Sequence, residues 1–160
     1  MINIKVENGN VLALFAKIRQ RTGNLEPLMA NIAGFLRRSV IKNFDAGGRP
    51  NPWPVSKRAV RDGGRATLTD TGRLKNSIAA FATNNTAEVG TNVEYAPFLQ
   101  FGTRPYDIRP INKKALFWPG AGHPVKGVHN PGLPPRPFMM VQDNDWEIIR
   151  QLAADFLTGA

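Results

Sequence analysis

No cysteine occurs among the 160 residues. That absence excludes structural disulfides, thiol nucleophiles and cysteine-ligated zinc at once, and with them the class of small secreted domains stapled by bridges. Histidine is almost as scarce: His123 and His129 stand in a stretch rich in Gly and Pro, with no carboxylate close by in sequence. A divalent metal needs several convergent donors, so neither a metal site nor a cofactor is expected. Long apolar runs are missing as well. Stretches such as Val11 to Ala16 fall far short of the ~20 residues that a membrane-spanning helix needs. Met1 to Lys5 lacks the basic start and apolar run of a secretory leader. The expectation is a protein made in a cytoplasm, soluble, with no membrane partner.

Catalytic signatures are equally thin. No serine occupies a Gly-x-Ser-x-Gly elbow. Gly120-Ala-Gly-His-Pro-Val-Lys126 departs from the phosphate-loop pattern, and Pro124 removes an amide that phosphates would use. Asp143, Asp145 and Glu147 are closely spaced carboxylates, but favourable charge in the first turn of a helix explains them. A Ser-His-Asp site with dispersed members leaves no local signature. Nothing in the residues points to one, and the chain reads as a non-enzyme.

What is present is a cored chain with an uneven charge. Hydrophobic residues make up 42% of it, too many for a disordered tail. The 15 glycines and 13 prolines gather in the middle, as in a domain interrupted by long loops. Net charge is +9. Between Arg37 and Lys75 ten Lys/Arg oppose three Asp/Glu, whereas from Gln142 to Ala160 one Arg stands among four acids. Such asymmetry fits a face directed at nucleic acid or at an acidic neighbour, and equally a solvated basic loop. Zinc-finger, helix-turn-helix and aromatic-studded strand patterns are missing, so base-specific readout is not expected; non-specific attraction to phosphate stays open.

Periodicity predicts the elements. Met1 to Val6 alternates weakly, as in a short strand. Asn10 can cap a helix over Val11 to Arg21, and a second helix runs over 25–44 with Pro27 in its first turn and an apolar stripe of Leu28, Ile32, Phe35, Leu36 and Val40. Arg37, Arg38 and Lys42 fall where the helix dipole favours cations. Residues 45–67 read as a basic loop, pinned by Trp53 between Pro52 and Pro54. Asp70 or Thr71 is a plausible cap for a short turn before Ile78 to Thr83 and Thr86 to Thr91, two strands joined by Asn84-Asn85 in left-handed geometry. Tyr95 to Phe101 predicts a turn or two of helix, and Ala115 to Trp118 and Val125 to His129 a third and fourth strand. Asn144 is expected to cap a last helix over 144–158, with Trp146, Ile149, Leu152, Ala153, Phe156 and Leu157 on one face. The expectation is a single domain over 1–160 of the α+β class: a small, mostly antiparallel sheet within 68–138, packed by helices of 10–44 and the C-terminal helix, with long Pro/Gly-rich loops.

Four blocks then stand in order between Phe44 and Phe138: Phe44-Asp-Ala-Gly-Gly-Arg-Pro-Asn-Pro-Trp53-Pro-Val-Ser56; Leu68-Thr-Asp-Thr-Gly-Arg-Leu-Lys-Asn-Ser-Ile78; Val89-Gly-Thr-Asn-Val-Glu-Tyr-Ala96 continuing to Gln100-Phe-Gly102; and Leu133-Pro-Pro-Arg-Pro-Phe138. In this order they resemble the phage virion morphogenesis family, the tail-completion proteins of Mu-like contractile-tailed phages. The matching positions are Trp53, Gly72, Leu74, Ser77, Ile78, Gly90, Tyr95, Ala96, Phe101, Gly102, Pro137 and Phe138. Fold maintenance is the plainest role for them: Gly72 for a tight turn, Gly90 and Gly102 for close approach or positive φ, and Ile78, Phe81, Tyr95, Phe101 and Phe138 as buried apolar bulk.

The resemblance implies a virion protein assembled in the bacterial host cytoplasm. It implies a homo-oligomeric, six-fold ring at the head-proximal end of the tail, contacting tail terminator, tail tube and head-closure or connector proteins, with transient non-specific contact to phage DNA in the central hole. Arg49, Lys57, Arg58, Arg61 and Arg65 are then candidates to line the hole or to grip a neighbour's acidic residues Asp143, Asp145 and Glu147, with Asp155 beyond them. Arg136, held between prolines, is a candidate to pair with an acidic group of this chain or the next. A broader group of neck and tail components shares the Thr-Gly-x-Leu-x-x-Ser-Ile pattern. A tail terminator, a head-closure ring or a non-specific DNA-binding module therefore remain the alternatives.

Overall fold

The computed structural model describes residues 17–18, 20, 22–61, 63, 67–118 and 121–159. The predicted strand over Met1 to Val6 and most of the predicted helix over Val11 to Arg21 lie outside the described residues, as does Arg65.

Helix α1 spans Glu26–Asp45, with Pro27 in its first turn, where a missing N–H costs nothing. Its inner face buries Leu28, Ile32, Ala33, Ser39, Val40, Asn43 and Phe44. Because it ends at Asp45, only Lys42 of the three basic residues sits in the last turn. Arg37 instead reaches across to donate from Nε to the carbonyl of Ile78 at 2.7 Å. After α1 come two short helices, α2 (Lys57–Arg61) and α3 (Arg73–Asn76). Gly72, at φ 77°, takes the cap position of α3, and Thr71 accepts from the Arg73 N–H at 3.3 Å.

Strands β1 (Ala79–Ala82) and β2 (Ala87–Gly90) form an antiparallel hairpin lying on α1. Its Asn84-Asn85 turn is not left-handed: among the described residues Leu68 is the only non-glycine at positive φ. Thr83 shapes the turn instead, its hydroxyl oxygen accepting from the amides of Asn85 (3.3 Å) and Thr86 (3.1 Å). Helix α4 (Ala96–Phe101) follows, then a second, separate hairpin of β3 (Tyr106–Ile108) and β4 (Val128–Asn130). The chain is thus α+β, but with two two-stranded ladders rather than one sheet. Residues 115–118 and 125–129, predicted as a third and a fourth strand, contribute a single bridge, Leu116 to Val125, and the start of β4. Helix α5 (Asp143–Thr158) packs back on α1. Gln142, not Asn144, is its cap.

The core is Val40 and Phe44 of α1, Trp53, Leu74, Ile78, Val93, Ala96 and Phe138. Phe44 meets the Trp53 ring edge-on at 5.7 Å and lies 5.3 Å from Phe138. Each large side chain removed from water contributes about 1.5–3 kcal/mol.

Three aromatics expected inside are outside. Phe81 is 61% exposed. Side chains alternate on a strand, so Phe81 faces away from the half-buried Ala80 and Ala82 that flank it on β1. Tyr95 is also exposed, and Phe101 is 77% exposed. On α4 the inner face is Ala96, Leu99 and Gln100, which leaves Phe98 and Phe101, three apart, on the outer one.

Candidate functional site

The residues singled out by charge divide into an internal lock and two outer surfaces. Asp145 belongs to the lock. Rather than joining an acidic patch, it is buried and accepts from Ser39 Oγ at 2.5 Å and from the Gln142 amide at 2.9 Å. Arg49 belongs with it. Its Nε donates to Asn43 Oδ1 (2.8 Å), and its Nη2 to the carbonyl and hydroxyl oxygens of Ser39 (2.7 and 2.9 Å). Asn43, fully buried, donates in turn to the carbonyls of Phe138 (2.8 Å) and Met140 (3.2 Å). One polar network therefore ties α1, the proline loop, the segment before α5 and α5 itself. Buried polar groups are tolerable only when satisfied, and these are. Arg49 and Asp145 thus serve the fold of their own chain.

The motif residues do similar work. Trp53 donates from its indole to the Pro137 carbonyl at 3.2 Å. Ser77 Oγ donates to the Leu74 carbonyl at 2.7 Å and lies 2.6 Å from the Thr91 hydroxyl. Gln100 Oε1 accepts from the amides of Phe138 (2.9 Å) and Met139 (3.0 Å), anchoring the last block on α4. Gly102 sits at φ 74°, and a Cβ there would lie 2.5 Å from the Leu133 carbonyl oxygen. Gly90 differs: its φ is outside the left-handed region and a Cβ would meet nothing within 4 Å.

The outer basic surface is Lys57, Arg58 and Arg61 on α2. Lys57 and Arg61 are exposed, while Arg58 is half-buried 3.3 Å from Asp70. Beside it opens a cleft of about 750 Å³, lined among others by Ser56, Lys57, Arg58, His129, Leu133 and Arg136. Arg136 is only 5% exposed. Its Nε donates to the Pro54 carbonyl at 2.8 Å and its amide to the Leu99 carbonyl at 2.8 Å. It finds no acidic partner among the described residues of its own chain. Burial pulls its guanidinium below the ordinary arginine pKa. The acidic surface is the outer side of α5, where Asp143 and Glu147 are exposed and Glu147 pairs with Arg150. Asp155, one turn from the helix end, accepts from Gln151 at 2.6 Å.

Between Gly102 and Leu133 the chain leaves the body as an arm. Its root is the paired Thr103 and Leu133, whose amides each donate to the other's carbonyl (2.9 and 3.3 Å). Within it Asp107 and His129 face each other across β3 and β4 at 2.8 Å. Beyond that pairing Ile111, Phe117 and Trp118 project into solvent, Ile111 96% exposed. Strand β3 was not among the predicted strands: it has only three residues, all exposed, and no alternation to mark it.

No metal-ligating group of three or more His, Asp or Glu occurs among the described residues, and no described helix is long and apolar enough to cross a membrane. The chain matches a model of the phage virion morphogenesis family over residues 6–158. It is 34% identical to Mu-like prophage FluMu G protein 2 of Haemophilus influenzae over 146 residues, 91% of this chain and 88% of that protein. No solved structure matches.

Proposed function

This chain belongs to the phage virion morphogenesis family, and from that premise we propose that it completes the tail and joins it to the head, as a non-enzymatic ring around the DNA channel. Virion assembly is the family's work; the neck position, the ring and the channel are our reading. One observation carries it. The polar groups of Ser39, Asn43, Arg49 and Asp145 hold the body together, while what the body presents outside is an arm with exposed apolar side chains and two faces of opposite charge. Opposite faces on one polypeptide meet head to tail, and such contacts generate closed rings when the rotation per copy allows. The neighbours in the particle are then the tail tube, the tail terminator and the head-closure or connector proteins. Exposed Lys57 and Arg61 touch phage DNA non-specifically in passing, an attraction that falls with salt.

Electron micrographs of a lysate made without this chain test the reading. The expected result is filled heads beside full-length, unattached tails, with infectious titre lost. Properly joined, infectious particles would refute it. A ring at the tail terminator or head-closure station works the same way and is told apart by tails of uncontrolled length or by heads that leak DNA.

A further inference from the structure

We propose that the cleft over Arg136 is the socket by which one copy of this chain holds the next, and that its occupant is the outer face at the start of α5, where Trp146 stands beside Asp143 and Glu147. This deepens the head-to-tail ring proposed above and rests on it.

The socket is defined by an unanswered charge. Arg136 is nine-tenths buried, yet its side chain makes one hydrogen bond among the described residues, from Nε to Pro54. An arginine carries five N–H donors in a rigid fork, so four remain for a visitor. Arg136 lines the cleft together with Lys57 and Arg58. Asp70, engaged with Arg58, is the one carboxylate among the lining residues. A largely buried guanidinium without a counter-charge is costly, and a carboxylate that completes the fork recovers part of that cost. The wall also carries apolar side chains, Val55, Leu99, Leu133 and Pro134 with the ring of Tyr95, beside the polar Ser56, His129 and Asn130. Such a site fits a side-chain carboxylate carried beside apolar bulk. A duplex phosphate backbone, wide, stiff and strongly hydrated, suits an arginine that is only 5% exposed poorly.

The matching knob is on the same polypeptide. Asp143, Trp146 and Glu147 are spaced i, i+3, i+4 and therefore share one face of α5. Asp145 points the other way, into the body. Trp146 was expected to pack with the apolar stripe of its helix but is 53% exposed, while Ile149, Leu152, Ala153, Phe156 and Leu157 are half-buried. An exposed tryptophan flanked by carboxylates is the residue type that anchors interfaces. Glu147 is held only by an exposed i, i+3 pair to Arg150, which is weak and readily exchanged. The helix lines no part of its own chain's cleft, so the contact must join two copies, basic cleft to acidic knob.

A cysteine pair tests this in the full chain, which has no cysteine of its own. Leu133→Cys sits on the cleft wall and Arg150→Cys on the knob face. Both the purified protein and the tails that incorporate it are mildly oxidised and run without reductant. The expected result is a ladder of covalent multimers from the double variant and none from either single variant. Adding Arg136→Met should weaken the ladder about tenfold or more, the equivalent of at least ~1.4 kcal/mol of contact energy. The melting temperature should hold or rise, because an unpaired buried charge has been replaced by an apolar side chain. If Arg136→Met does not fold, Arg58→Glu at the edge of the same cleft must suppress the ladder. A ladder that survives both substitutions overturns the socket and leaves the ring standing. No ladder in tails that do contain a ring of this chain overturns the socket alone; no ring in any particle removes the reading beneath it too.

Discussion

Phe138→Ala is expected to destabilise the isolated chain by about 3–5 kcal/mol, the range for emptying a large aromatic site in a packed core. Phe138 is 1% exposed and lies 5.3 Å from the Phe44 ring, which itself abuts Trp53. These three rings come from the end of α1, the proline loop and the last motif block, so the cavity opens where three otherwise distant segments meet. The backbone around it resists collapse. Gln100 holds the amides of Phe138 and Met139, and Asn43 holds the carbonyls of Phe138 and Met140. With total stabilities of about 5–15 kcal/mol for domains of this kind, the loss is a large fraction of the whole. Urea unfolding followed by tryptophan fluorescence should show a lower midpoint with little change in slope. A midpoint within error of the parent would mean that the three rings do not form the core.

Asn43→Ala carries the second large effect, about 3 kcal/mol, for a different reason. The substitution removes little apolar volume but strands three partners: two carbonyls and the Nε of Arg49. Each buried group left unsatisfied costs about 1–3 kcal/mol, partly relieved by entering water. Asn43→Leu restores the bulk without the hydrogen bonds and should be no better than alanine, which separates polar satisfaction from packing. Amide exchange at Met139 and Met140 is expected to quicken in both variants, since the segment leading to α5 loses its tether. Recovery of stability in Asn43→Leu would show that the site is a packing position and that the network is incidental.

Much of the fold was legible because its cause is local. The 3.6-residue spacing of Leu28, Ile32 and Val40 marked α1, the proline brackets marked the buried Trp53, and the Gly102 stop marked the end of α4. What escaped has its cause far away along the chain. Asp145 reads as first-turn helix charge until Ser39, 106 residues earlier, is placed against it. Arg136 meets the Pro54 carbonyl across 82 positions. No single sequence displays such pairs. A second class of error was avoidable. Phe81 alternates with the half-buried Ala80 and Ala82 on β1, and Phe101 lies off the inner face of α4. Parity and helix phase alone assign both to the outside. Those outward aromatics, with Phe98 and the arm residues Ile111, Phe117 and Trp118, exceed what a solitary chain gains by exposing them. They are consistent with a protein whose remaining burial happens in an assembly.

The central claim is that this chain works by clasping copies of itself and other virion parts, with no bond made or broken. The most direct measurement is a symmetry-resolved electron density map of the head–tail junction in intact virions, with this chain located in it. The expected result is a closed ring of copies around the channel, each with its α5 face against the cleft of the next. Density showing this chain absent from the junction, or present as isolated copies that never touch one another, would contradict it.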